Sequence, residues 1–119
     1  MKFAFYSPFR ACPELVSGGL GGRLQEIMTP KVSIIMGSTS DLPVMEKTAK
    51  LLDEFEIPFE IHALSAHRTP AEVEKFAKGA QARGVRVIIA AAGMAAHLPG
   101  VIASMTTLPV IGVPINASL

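Results

Sequence analysis

Three short segments contain side chains suited to chemistry. The most informative is Ser65-Ala66-His67-Arg68-Thr69-Pro70, which sets an imidazole beside a guanidinium. Arginine offers a planar fork for phosphate or carboxylate, and histidine gives and takes a proton near neutral pH. Together they suit an anionic substrate that must exchange a proton. The blander reading is a loop histidine bonded to backbone and a solvated arginine, and position in the fold decides between the two.

Gly37-Ser38-Thr39-Ser40-Asp41 lies between a β-branched run and a helical pattern, so its amides and the following helix end can hold a phosphate. The hydroxyls of Ser38 and Ser40 add donors. Asp41 would repel phosphate and is read either as a helix cap or as an acceptor for a ribose hydroxyl. Many strand-to-helix turns contain such residues for turn and capping reasons alone. The third segment, Ala92-Gly93-Met94-Ala95-Ala96-His97-Leu98-Pro99-Gly100, surrounds one histidine with small residues. Backbone there can approach a small neutral molecule closely, although His97 reads equally well as a packed histidine. His62 falls inside a strand pattern and is read as structural. The three histidines lack metal-ligand spacing and no acidic pair accompanies them, so no metal is expected. No Gly-x-Ser-x-Gly turn supports a serine hydrolase.

The elements that must position these segments follow from periodicity. Val32 to Met36 reads as a buried strand ended by Gly37, and the apolar positions from Val44 to Phe55 recur at helical spacing, with Pro58 after them. Phe59 to Leu64 alternates as a second strand. Thr69-Pro70-Ala71-Glu72 then reads as an N-cap, a proline at the first helical position and a capping-box glutamate, opening a helix to about Arg83 with Gly84 as its stop. Val85 to Gly93 is a third strand, Ala95 to Met105 a short helix, and Pro109 to Val113 a fourth strand. Strict alternation of strand and helix predicts an α/β fold with a parallel sheet and helices on both faces, its ligands at the carboxyl ends of the strands. All three segments fall at that edge. Residues 1–30 are expected to be an irregular tail, since they have no sustained period and contain Ser17-Gly18-Gly19-Leu20-Gly21-Gly22.

A chain of 119 residues accommodates one domain. Eleven basic residues against 10 acidic ones give no field for nucleic acid or a membrane surface. Val87 to Ala96 is too short to span a bilayer, and the N-terminus lacks a signal-peptide core. The single cysteine, Cys12, fits a reducing cytoplasm. A half-hydrophobic composition points to apolar surface covered by partner subunits, and so to an oligomer.

Taken together, Ile35-Met36-Gly37-Ser38-Thr39-Ser40-Asp41, Ser65 to Pro70 and Ala92 to Gly100 resemble 5-(carboxyamino)imidazole ribonucleotide mutase, the catalytic-subunit type of bacterial phosphoribosylaminoimidazole carboxylase. The resemblance covers residues 31 to 116. It implies a flavodoxin-like three-layer α/β/α sandwich, assembly as a homo-octamer with sites between neighbours, and a step in de novo purine biosynthesis that needs no cofactor. In that reaction the N-carboxylate leaves as carbon dioxide and C4 of the imidazole captures it. Carried over, His67 is the general acid/base, Arg68 binds the phosphate, Ser38 and Asp41 bind the ribose phosphate with Gly37 and Ser65 beside them, and Ala95 and His97 line the carbon dioxide pocket. The Ala-Ala-His-Leu-Pro-Gly form of the third segment resembles the mutase branch rather than the branch that carboxylates aminoimidazole ribonucleotide directly. The family continues past Asn116 with a strand and a C-terminal helix, so residues 31–119 are expected to form an incomplete domain. Competing readings are an inactive fragment, a non-catalytic nucleotide-phosphate-binding domain and a flavodoxin-type electron carrier. The last is weakened by the absence of Trp and the single Tyr.

Overall fold

The computed structural model of the protein describes residues 5–7, 29–94 and 96–116. The run Val32–Met36 is buried at every position and forms β2, as a strand must when both faces of its sheet are covered. Around it lie β3 (Phe59–Ala63), β4 (Val87–Gly93) and β5 (Val110–Ile115), all parallel. A three-residue strand, β1 (Phe5–Ser7), pairs antiparallel along the outer side of β3, giving the order β1-β3-β2-β4-β5. The four parallel strands follow the flavodoxin-like order, in which the chain first steps outward from β2 to β3 and then crosses back to β4. Strand β1 departs from the expectation of an irregular N-terminus. Three residues along a ready edge are enough to pair and too few to show a period in sequence. Residues 1–4 and 8–28 of the expected tail lie outside the described residues.

Among the described residues three helices complete the layers: α1 (Leu42–Glu54), α2 (Pro70–Gly79) and α3 (His97–Ala103). On one face, Met45 of α1 is fully buried over Ile34, Met36, Ile61 and Ala91. On the other, Val73 and Phe76 of α2 and Leu98 and Ile102 of α3 cover Ile35, Ile88 and Ala90. Alanines at 90, 91 and 92 put methyl groups on both faces of β4 and let helices approach closely. A Cβ at Gly112 would come 3.4 Å from Pro99, so α3 also lies tight against β5. Pro114 sits in β5, an edge strand, where a missing amide is tolerated. No helix among the described residues is long and apolar enough to cross a membrane.

Helix endings follow the chain's local chemistry. After α2 the backbone turns as far as Arg83, and Gly84 closes it at φ 94, with the amide of Val85 donating to the carbonyl of Ala80 at 3.1 Å. Helix α1 ends in the same motif but with Glu56 at φ 58, the amide of Ile57 donating to the carbonyl of Leu52 at 2.9 Å and both Ile57 and Leu52 packing against the core on the α1 face. A glutamate held left-handed costs about 1 kcal/mol relative to glycine. Glu56→Gly is therefore expected to stabilise the fold by roughly 0.5–1 kcal/mol, seen as a higher melting temperature.

Candidate active site

The loops after β2, β3 and β4 meet at the carboxyl edge of the sheet. Between β2 and β4 the strand order reverses, and it is at this edge that ligands of such folds collect. The first loop leaves β2 through a 3₁₀ turn, Thr39–Asp41, and Ser38 adopts the extended conformation of a cap. Ser38 Oγ accepts the amide of Ser40 at 3.3 Å and lies 2.9 Å from the Ser40 hydroxyl. Part of the donor capacity expected for an anion is thus satisfied within the turn. Asp41 is 9% exposed and makes no side-chain cap bond to α1. Burial pushes its carboxyl above the ordinary value, against the pull of a backbone hydrogen bond from Ser38. The capping alternative for Asp41 is therefore not realised in this structure.

The second loop is organised by Ser65, whose Oγ accepts the amides of His67 at 3.3 Å and Arg68 at 3.2 Å. This fold-back holds both functional side chains on one exposed turn. Thr69 Oγ1 accepts the Ser65 amide at 3.0 Å and donates to the Ser65 carbonyl at 3.1 Å. That use of the hydroxyl corrects the expected capping box: Thr69 stands at the N-cap of α2 but makes no side-chain bond to the helix. Pro70 opens α2 as expected, while Glu72 Oε2 is buried without a partner. Arg68 reaches back to the first loop, its Nη2 donating to the Gly37 carbonyl at 2.8 Å.

Between these two loops lies a cleft of about 270 Å³ whose wall includes Gly37, Ser38, Thr39, Ser65, Arg68 and Thr69. A Cβ at Gly37 would meet nothing within 4 Å. Glycine there leaves room in the cleft and serves no internal packing need, as suits close backbone approach to a ligand. Hydroxyls, amides and one guanidinium around a space of this size are the donors that a phosphate-bearing molecule would need.

The third loop brings His97, the first residue of α3, to His67. Its Nδ1 lies 3.2 Å from His67 Nε2, with ring centroids 5.2 Å apart at 63°. Met94 and Ala96 reach this point in left-handed backbone at φ 54 and φ 52. The sequence readings for Gly37, Ser38, Ser65, His67, Arg68 and His97 thus meet at one edge, whereas Asp41 is buried and Ala95 lies outside the described residues. His62 is remote, facing Glu60 and ring-packed on Phe76 at 5.1 Å between centroids. Among the described residues no three His, Cys, Asp or Glu side chains gather as a metal set. Sequence reading missed the His67–His97 contact, since the two loops become neighbours only through the strand order. A second histidine just past a parallel strand was the available signal.

Comparison with known proteins places the chain in a family. Residues 31–119 match the AIR carboxylase family. The chain is 62% identical over 88 residues to N5-carboxyaminoimidazole ribonucleotide mutase of Pyrococcus horikoshii, a match covering 74% of this chain and 50% of that protein. It is 61% identical over 89 residues to the mutase of Thermotoga maritima, covering 75% and 52%. Phosphoribosylaminoimidazole carboxylase of Candida glabrata is 56% identical over 94 residues, covering 79% of this chain and 16% of that protein. The crystal structure of Treponema denticola PurE superposes with a TM-score of 0.69 at 32% identity, covering 74% of this chain and 56% of that one. The chain spans about half the length of the mutase relatives it matches. The motifs, the strand order and these similarities lead to one conclusion: the chain belongs to the AIR carboxylase family.

Proposed function

We propose that the protein acts in de novo purine biosynthesis as a mutase, moving the carboxylate of 5-(carboxyamino)imidazole ribonucleotide from the exocyclic nitrogen to C4 of the ring. The observation that carries this reading is an exposed His67 beside a phosphate-sized cleft that Arg68 and the Gly37–Ser38 turn share. The substrate phosphate sits in that cleft, and the imidazole ring extends toward the two histidines.

The chemistry balances without a redox partner. The carbamate C–N bond breaks, its electrons stay on nitrogen, and carbon dioxide is released. The nitrogen takes up a proton. C4 then attacks carbon dioxide, a C–C bond forms, and the proton left on C4 is removed. One proton is delivered and one taken, so His67 alone handles both and ends as it began. A positioned acid/base is worth on the order of 10² to 10⁴ in rate. His97 borders the place where carbon dioxide would wait, and the resemblance implies the same role for Ala95. We further propose that the chain works in the cytoplasm as a homo-oligomer, an octamer as the resemblance implies. In support, α1 and its C-cap expose Val44, Leu51 and Phe55 (46%, 50% and 64%) and β5 exposes Ile111, apolar surface that a monomer would leave wet.

The test is turnover of the carboxyamino nucleotide by the purified chain, followed by formation of the C4 carboxylate, with mass measured in parallel by light scattering. Product formed without added bicarbonate supports the mutase. Product formed only from aminoimidazole ribonucleotide and bicarbonate would instead make the chain a direct carboxylase, and a folded oligomer with neither activity would overturn the enzymatic reading.

A further inference from the structure

We propose that His97 is a positioning residue for His67, holding its ring in one tautomer so that Nδ1 is the atom that takes the substrate proton. This rests on the proposed role of His67 as the general acid/base.

A nitrogen-to-nitrogen separation of 3.2 Å between two imidazoles is a hydrogen bond only when one nitrogen carries the hydrogen and the other does not. Each ring's tautomer is therefore tied to the other's. With Nε2 of His67 engaged by His97, Nδ1 is the nitrogen left for substrate. Once Nδ1 has delivered its proton to the carbamate nitrogen it is bare and can accept the one from C4, while Nε2 keeps its hydrogen and donates it to His97 Nδ1. His97 in turn carries its own hydrogen on Nε2. When His67 becomes the imidazolium, the same contact turns into a charge-assisted bond and strengthens as charge develops.

The backbone holds His97 in place for this task. Met94 and Ala96 occupy left-handed conformations without being glycine, a cost that persists only where the surroundings over-determine it. Here the surroundings are Leu98, the next residue of the helix, and Ile102 in its second turn, both buried, and the close approach of Pro99 to Gly112. His97 is itself exposed, so packing does not account for its ring orientation.

The test uses the full chain labelled with ¹⁵N-histidine, whose three imidazoles resolve in long-range proton–nitrogen spectra. At a pH where both rings are neutral, His67 and His97 are expected to show the Nε2–H pattern. His97→Leu is expected to convert His67 to a tautomer mixture while His62 stays as it was, and His97→Asn, whose amide oxygen can stand near the Nδ1 position, is expected to restore the single pattern. In turnover, His97→Leu should lower kcat about 10- to 100-fold with KM within about twofold, and His97→Asn should recover most of that loss. A His67 pattern indifferent to His97→Leu, or a loss confined to KM, overturns the proposal. The two readings fail separately. Coupled nitrogens in a chain without turnover would remove the function and keep the pair, whereas full turnover with uncoupled nitrogens would do the reverse.

Discussion

His67→Asn is expected to slow carboxylate transfer by about 10²- to 10⁴-fold while leaving the fold and substrate affinity nearly unchanged. Asparagine cannot exchange a proton near neutral pH. The loop does not depend on the imidazole, because the amides of residues 67 and 68 donate to Ser65 Oγ whatever side chain residue 67 bears. The ring is exposed, so its removal should shift stability by no more than about 0.5 kcal/mol. The proposed binding groups, Arg68 and the Gly37–Ser38 turn, lie on other residues, so KM should move far less than kcat. Steady-state kinetics beside a thermal melt read both quantities. An unaltered kcat would move the acid/base role to another group, and a collapse in melting temperature would make His67 a structural residue.

The second large effect lies at the opposite end of β3. Glu60 is 5% exposed, and its Oε1 accepts the Ser33 hydroxyl and Arg83 Nη2 (3.2 Å), with His62 Nε2 also at 3.2 Å. Arg83 in turn lies over the Phe76 ring at 5.1 Å. Burial alone would push this carboxyl up, but His62, Ser33 and Arg83 outweigh it and bring it from 4.5 to about 2. A carboxyl whose folded value is depressed adds stability that is complete above its unfolded value near 4.5 and is lost as the pH falls toward about 2. Such a shift corresponds to about 3 kcal/mol. Glu60→Gln is expected to cost about 2–3 kcal/mol at pH 7, since the amide keeps the Ser33 bond but leaves the cation of Arg83 without its counter-charge. It should also flatten the decline in stability between pH 4.5 and 2. Urea midpoints measured across that range compare the two proteins directly, and parallel curves would show that the carboxylate contributes nothing.

Much of this arrangement was legible in sequence because it rests on local rules. The β-branched run at Val32, the glycine stop at 84 and proline at the first turn of α2 each announce an element through nearest neighbours. The chemistry-bearing loops were legible for the same reason: alternating strands and helices place every strand-to-helix turn at one edge. What escaped depends on contacts between distant residues. Ser33 and Arg83 reach Glu60 across 27 and 23 positions, and neither has a spacing rule that would connect them. The left-handed backbone at Glu56, Met94 and Ala96 has no compositional signature, since glycine is the residue that normally marks it. Thr69 failed as a cap because its hydroxyl had a nearer partner in Ser65, a competition that a four-residue motif cannot register. Asp41 was legible as a residue of the turn, but not its burial, which depends on how α1 settles on the sheet.

The edge position of β1 bears on the order in which the chain folds. Strands β2, β3 and β4 are joined through single helices and can condense as neighbouring βαβ units, whereas Phe5 meets Ile61 only after the chain has closed a much longer loop. Such closures are slow because entropy is lost before any contact forms. Strand β1 therefore docks last onto a sheet already in place, and its amides should be the first in the sheet to exchange with solvent hydrogen.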